Sequence, residues 1–155
     1  MIGLLVTDKP AQDVLITGLC RWYEKIGLPE YKPQVPIFDY TPPPSVSNST
    51  LCHVSISNWV NKSGQKATGD KRVERCRRLT GDVAYRVTVI LNEYFNNTYV
   101  TVGHDNQTVG ECMTCHGDRG KLNDTFGKMD CSSCHTESIG HRLFANPHYR
   151  LKRVE

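Results

Sequence analysis

The chain has 155 residues, of which 38% are hydrophobic, and its formal net charge is +3. This length suits one domain, or one domain with a small appendage. The charges of both signs are interspersed, which argues against nucleic acid as a partner, and no apolar segment is long enough to span a membrane.

The first helical pattern follows Asp8 and Pro10, two residues that are typical of a helix start. From residue 12 to residue 25, apolar side chains recur every three or four positions, which predicts a single helix. Cys20 lies within this pattern, and its simplest interpretation is a core thiol, since free cysteine behaves as a small apolar group.

Residues 28–50 contain six prolines. Each proline removes a backbone donor and disfavours helix at the preceding residue. We therefore predict an extended segment across the surface. Its expected anchors are its larger apolar side chains, Tyr31, Ile37, Phe38 and Tyr40.

Two more helices are predicted before residue 97. Ser49 or Thr50 can cap a short helix, and a longer one is expected over 70–95 with a cap at Asp70. The longer helix contains Gly81, which costs about 1 kcal/mol relative to alanine, and a close packing contact would explain its presence. The predicted buried stripe of this helix consists of Val73, Cys76, Leu79, Val83, Val87, Ile90, Leu91 and Tyr94.

The most specific motif occurs after the composition changes near residue 97 to Gly, Asp, Asn, Thr and His. Two C-x-x-C-H blocks, the attachment signature of c-type haem, are present: Cys112-Met-Thr-Cys115-His116 and Cys131-Ser-Ser-Cys134-His135. In each block the two sulfurs would bond to the haem vinyl groups, and the histidine would bind the iron. We predict a mainly α protein, with a helical domain at 1–97 and a small, loop-rich module at 98–155 whose core is two haems.

Zinc is the principal alternative, because C-x2-C-x15-C-x2-C also fits a four-cysteine zinc site. A zinc ribbon needs no histidine after each pair, although a mixed site could use His116 or His135. Histidine accounts for 6 of 155 residues, so its occurrence after both pairs has a chance of roughly one in 700. A pair of disulfides is a third interpretation. The two histidines favour haem.

The axial ligands of the two irons are also constrained by the sequence. His116 and His135 are the proximal ligands by motif, and suitably placed methionines are scarce. We therefore expect histidine at the sixth position, which keeps the reduction potential low. The distal candidates are His104 and His141, with His148 in reserve.

Three segments of the first half, followed by the two-haem tail, resemble the split-Soret cytochrome c family. The resemblance covers about residues 10–135. The first half alone resembles the wider helical redox family named for its C, G-C-A-x-x-G, C, C cysteine pattern. The segments that carry the resemblance are Leu51-Cys52-His53-Val-Ser-Ile-Ser-Asn-Trp59, Glu74-Arg75-Cys76-Arg77-Arg78-Leu79-Thr80-Gly81-Asp82-Val83, and Trp22-Tyr-Glu with Leu28-Pro-Glu-Tyr31-Lys-Pro33.

The resemblance implies a mainly helical homodimer with two clustered, nearly parallel haems per subunit. It also implies an additional iron centre, thought to be iron–sulfur, held by cysteines of the helical part, and Cys52 and Cys76 match the last two cysteines of the pattern. The G-C-A-x-x-G element is absent, so the sequence corresponds to a C-terminal part. Two cysteines do not complete a usual four-ligand cluster. The other ligands could come from a separate subunit, or the pair could be buried structural thiols.

These features predict a dihaem c-type cytochrome that transfers electrons between redox partner proteins in anaerobic respiration. Two six-coordinate haems have no vacant position for a substrate, which favours a carrier over an enzyme. The alternative is a redox enzyme, or an enzyme subunit, with an iron–sulfur centre at Cys52 and Cys76.

Because haem is attached outside the bacterial cytoplasm, we expect a periplasmic or extracytoplasmic location. Residues 1–6 are too short for a signal peptide, so we expect that the chain is a mature or truncated form, or that the export signal lies on a missing N-terminal part. We expect a homodimer, or a complex with a subunit that supplies the missing N-terminal half.

Overall fold

The computed structural model describes residues 1–102 and His116. The chain divides into two units, Met1–Gly103 and His104–Glu155. The described part of the first unit contains four helices and a two-stranded sheet, in the order α1 (Ile2–Leu5), α2 (Lys9–Lys25), β1 (Gly27–Leu28), β2 (Ser45–Val46), α3 (Cys52–Ser63) and α4 (Asp70–Phe95). The mainly α fold class is confirmed. The boundary near residue 97 and the loop-rich dihaem module stay predictions. Within the described residues, no helix is long and apolar enough to cross a membrane.

Helix α2 begins where its sequence predicts. Asp8 is the N-cap, and its carboxylate accepts a hydrogen bond from the Ala11 N–H at 2.9 Å. Pro10 lies in the first turn, where its missing donor has no cost. Leu15 is fully buried, and Cys20 is half-buried.

The two strands of the small sheet lie near the two ends of the proline-rich segment and pair with each other. Strands β1 and β2 are antiparallel, with Gly27 opposite Val46 and Leu28 opposite Ser45. The predicted anchoring by Ile37 is wrong, because that side chain is 79% exposed. The segment is held through backbone groups as well as side chains: the Tyr40 carbonyl accepts a hydrogen bond from α4.

The start of the proline-rich segment is fixed to the middle of α4. The Asp82 carboxylate accepts hydrogen bonds from the Glu30 N–H at 3.0 Å and the Tyr31 N–H at 2.8 Å. The Tyr31 ring packs directly on Gly81, where an added Cβ would lie 2.9 Å from two ring atoms. The packing contact predicted at Gly81 is therefore confirmed.

Helix α3 begins at Cys52, with Leu51 as an N-cap that makes no side-chain hydrogen bond. The predicted cap at Ser49 or Thr50 is wrong. The Ser49 hydroxyl accepts instead from the Leu51 N–H at 3.1 Å, and so stabilises the turn before the helix. At the other end, Gly64 adopts the left-handed conformation (φ 66°) and terminates the helix.

Helix α4 has the predicted bounds, 70–95, although its N-cap is Gly69 and not Asp70. Its C-terminal half contributes to the apolar core, which also includes α1 and α2 and consists of Ile2, Val6, Leu15, Val87, Ile90 and Leu91. Its N-terminal half differs from the prediction. The predicted stripe there is only half-buried, at Val73, Cys76, Leu79 and Val83. The buried side chains are charged instead: Glu74, Arg75, Arg78 and Asp82.

Candidate functional site

Three helices meet at the hydroxyl of Ser55 in α3. Arg75 of α4 is 1% exposed, and its Nη2 donates to the Ser55 Oγ at 2.8 Å and to the Ser55 carbonyl at 3.2 Å. The Tyr23 hydroxyl of α2 lies 3.1 Å from the same Oγ and donates to it. Because a hydroxyl oxygen can accept two hydrogen bonds, one serine joins the tyrosine and the arginine.

Both cysteines predicted in the helical half lie around this arginine. Cys52 is the first residue of α3 and is exposed, whereas Cys76 is half-buried in α4. Burial lowers the pKa of Arg75, and the electrostatic influence of Tyr23, Cys76 and Cys52 partly offsets that effect. The structure therefore places both sulfurs within electrostatic reach of one buried cation.

The surroundings of Arg75 are rich in hydrogen-bond donors. Its guanidinium carbon lies 5.7 Å from the centre of the Trp59 ring, a cation–π contact. Trp59 is fully buried. The Trp59 Nε1 and the Arg75 Nε are both buried and have no hydrogen-bond acceptor among the described residues. Buried donors without acceptors are costly, so these two N–H groups could accommodate an additional hydrogen-bond acceptor.

The neighbouring charges of α4 are paired with one another. Glu74 accepts from the Arg78 Nε at 2.8 Å and lies 3.8 Å from the Arg77 guanidinium. Arg78 also donates to the Tyr40 carbonyl at 3.0 Å. Arg75 has no carboxylate partner among the described residues.

The donor set of the described site is limited to these two sulfurs. Within residues 1–102 and His116, no group of three or more His, Cys, Asp and Glu side chains could hold a metal ion. His53 follows Cys52 and is exposed.

Of the predicted haem ligands, the structure describes one. His116 is half-buried. The other predicted haem residues lie outside the described part of the chain and stay predictions: Cys112, Cys115, Cys131, Cys134, His135, His104, His141 and His148.

The sequence prediction included the cysteines but not Arg75, Ser55 or Tyr23. The available signal was that all three residues stand within the segments that carry the family resemblance. A charged residue in a helix with several arginines is usually solvated, so its burial could not be read from the pattern.

Comparisons with known proteins show which proteins the chain resembles. The chain is 36% identical over 134 residues to the split-Soret cytochrome c of Desulfovibrio desulfuricans, and the alignment covers 79% of this chain and 46% of the relative. A solved structure, described as a novel iron centre in the split-Soret cytochrome c from Desulfovibrio desulfuricans ATCC 27774, superposes with a TM-score of 0.68 and 31% identity. That match covers 84% of this chain and 56% of the other. No family model matches the chain.

The helical fold, together with the two C-x-x-C-H blocks, is that of a c-type cytochrome with a helical domain. The chain belongs to the split-Soret cytochrome c family, which confirms the resemblance seen in its sequence. It spans about half the length of the relatives it matches.

Proposed function

We propose that this chain transfers electrons by means of two covalently attached c-type haems. The observation that carries the proposal is the presence of two C-x-x-C-H blocks in a chain of this family. The haems would be attached through Cys112 and Cys115 and through Cys131 and Cys134. The adjoining histidines, His116 and His135, would supply the proximal iron ligands.

The second axial ligand of each iron would also be histidine, from His104 and His141, with His148 in reserve. Two imidazole ligands favour the ferric state and hence a low potential, and they leave no coordination site for a substrate. This ligation supports a carrier that works with redox partner proteins in anaerobic respiration. The proposed location is periplasmic or extracytoplasmic. The proposed assembly is a homodimer, or a complex with a further subunit.

An iron–sulfur centre at Cys52 and Cys76 is the second part of the proposal. The related solved structure is described as containing a novel iron centre. Here, Cys76 and Cys52 influence the pKa of the buried Arg75, and the Arg75 Nε and the Trp59 Nε1 have no acceptor among the described residues. A cation and N–H donors of this kind would suit an anionic, sulfur-rich centre. The remaining ligands would come from outside the described residues or from another subunit. The centre would supply one-electron chemistry, and with a substrate site it would support the alternative, a redox enzyme or enzyme subunit.

The spectrum and metal content of the purified chain test the proposal. We expect a c-type pyridine haemochrome with two haems per chain and a low-spin spectrum that carbon monoxide does not change. A split Soret band would indicate closely stacked haems. Non-haem iron should be present in addition to the haem iron. Zinc without iron would refute the haem assignment, and a carbon monoxide adduct would favour the enzyme.

A further inference from the structure

We propose that a group of cations at the end of α3 and the start of α4 forms a docking surface for an acidic electron-carrier protein. This surface, the basic patch, consists of the exposed Lys62, Lys66 and Lys71 and the half-buried Arg72. The proposal rests on the electron-transfer function proposed above and deepens it. It names the class of partner and the part of the helical unit that this partner contacts.

The basic patch is continuous along the chain. Lys62 lies in the last turn of α3. Lys71 and Arg72 lie in the first turn of α4, and Lys66 lies in the connection between the two helices. Consecutive cations are at most five residues apart, so neighbouring Cα atoms of the patch lie within about 18 Å of each other. Chain connectivity therefore keeps the four charges in one region of the unit.

Positive charge is concentrated in this part of the described chain. Residues 62–78 contain seven Lys or Arg and two Asp or Glu, whereas the rest of residues 1–102 contains five and seven. Within 62–72 the only acidic residue is Asp70, the first residue of α4. An acidic protein would therefore be attracted to the patch more strongly than to the remainder of residues 1–102.

The charges of the patch are not compensated within the described residues. Further along α4, Glu74 pairs with Arg78 and lies 3.8 Å from Arg77, so those cations have a carboxylate. None of the four patch cations forms an ion pair with a described carboxylate, although the Lys71 Nζ lies 5.1 Å from the centre of the Tyr40 ring. The patch therefore keeps its positive charge for a partner.

Two of these cations occupy positions that the helix itself disfavours. The N-terminus of a helix carries a partial positive charge, so cations in the first turn destabilise it. Lys71 and Arg72 are the second and third residues of α4, and the N-cap Gly69 makes no side-chain hydrogen bond at this end. Helix stability does not account for the two cations, whereas an acidic partner would compensate both the side chains and the helix terminus.

The composition of the patch favours a protein over a membrane surface. Residues 61–72 contain no apolar side chain larger than that of alanine, so the segment has nothing to insert among lipid chains. Electron-carrier complexes are typically small and transient, and complementary charge mainly increases their rate of association. A polar, positively charged patch suits a partner of that kind.

The test replaces Lys62, Lys66 and Lys71 together with glutamine in the full chain with its haems. The probes are two acidic carriers of unrelated fold, a flavodoxin and a plant-type ferredoxin, and their association is followed by stopped-flow fluorescence of a dye on the carrier. At an ionic strength of about 0.01 M we expect association to be at least about 10-fold slower for the variant, and at about 1 M we expect the difference to disappear because the charges are screened. Replacing the same three lysines with arginine keeps the charge and should preserve the wild-type rate.

The matched control replaces Lys9, Lys25 and Lys32 with glutamine. These lysines are also exposed on the helical unit, and their removal changes the net charge by the same amount. We expect the association rate to change by less than about 2-fold. Equal losses in the two triple variants would overturn the proposal, because net charge and not the patch would then determine the rate. An absence of salt-dependent association of the wild-type chain with both carriers would also overturn it.

Two further measurements separate the patch from lipid binding and from the proposed function. If the patch variant lost binding to phosphatidylglycerol vesicles but kept its association with the carriers, the patch would bind lipid and the proposal would be wrong. Haem content and reduction of the chain by dithionite test the electron-transfer function without any partner. A chain that binds the carriers through the patch but contains no reducible haem would refute that function and leave the docking surface in place.

Discussion

The packing of Tyr31 on Gly81 predicts that Gly81→Ala destabilises the helical unit. In an exposed helix this change would stabilise by about 1 kcal/mol through helix propensity. Here the new Cβ would lie 2.9 Å from the Cδ1 and Cγ atoms of the Tyr31 ring. The ring cannot move away freely, because the Tyr31 N–H is bound to Asp82 at 2.8 Å. Overpacking of this kind costs about 1–3 kcal/mol, so we expect a net loss of up to about 2 kcal/mol.

Urea unfolding of the full chain, followed by far-ultraviolet circular dichroism, measures this effect. In a Tyr31→Ala background the overlap disappears, and Gly81→Ala should then stabilise by about 1 kcal/mol. Gly3→Ala in α1 is the matched control, because no atom lies within 4 Å of its added Cβ, and it should be neutral or stabilising. If Gly81→Ala stabilised the chain with Tyr31 present, or destabilised it equally without Tyr31, the steric explanation would be wrong.

Three other changes test a hydrogen bond, a buried carboxylate and a haem site. Tyr23→Phe removes the hydrogen bond to Ser55 and should lower the free energy of unfolding by about 1 kcal/mol in urea, without loss of haem. In Asp82→Asn, one of the two backbone N–H groups that now donate to the carboxylate would face the amide NH2 instead of an oxygen. This change should lower the free energy of unfolding by about 1–3 kcal/mol. Burial raises the pKa of Asp82 despite its backbone hydrogen bonds, so the folded chain binds this proton more tightly than the unfolded chain. The stability advantage of wild type over Asp82→Asn should therefore shrink as the pH rises from the ordinary value of 3.8 through the folded-state pKa, and a constant difference would contradict this. Replacing Cys112 and Cys115 with alanine should leave one covalent haem per chain by pyridine haemochrome, and two remaining haems would contradict the attachment site.

Helices α2 and α4 could be predicted closely because their signals are local. Asp8 and Pro10 specify the start of α2 through the hydrogen-bonding needs of its first turn. The apolar periodicity of 70–95 extends over seven turns, so tertiary contacts did not change its bounds. The contact at Gly81 was predictable in kind, because glycine within a helix needs a reason. Its partner Tyr31 lies fifty residues earlier and could not be read from the pattern.

The expectations that proved wrong depended on tertiary packing. Ile37 is apolar, but the strands at the ends of its segment and the bonds to α4 hold the backbone without it, and the side chain stays exposed. The N-cap of α3 is Leu51 and not the predicted Ser49 or Thr50, because the Ser49 hydroxyl stabilises the preceding turn. Hydrophobic periodicity also could not show that the first half of α4 buries charges. Such burial depends on partners from other elements, such as Ser55 for Arg75 and the Glu30 N–H for Asp82.

The two halves of α4 therefore serve different purposes. The C-terminal half buries Val87, Ile90 and Leu91 in the apolar core, as in any amphipathic helix. In the N-terminal half, Glu74 and Arg78 form a buried ion pair. Arg75 is held differently: its guanidinium donates to the hydroxyl and the carbonyl of Ser55 and lies over the Trp59 ring. An apolar side chain at position 75 would avoid the desolvation cost of a charge, but it could not make the hydrogen bonds that join α4 to α3. This half of the helix therefore fixes its neighbours by directional polar contacts, which hydrophobic periodicity does not record.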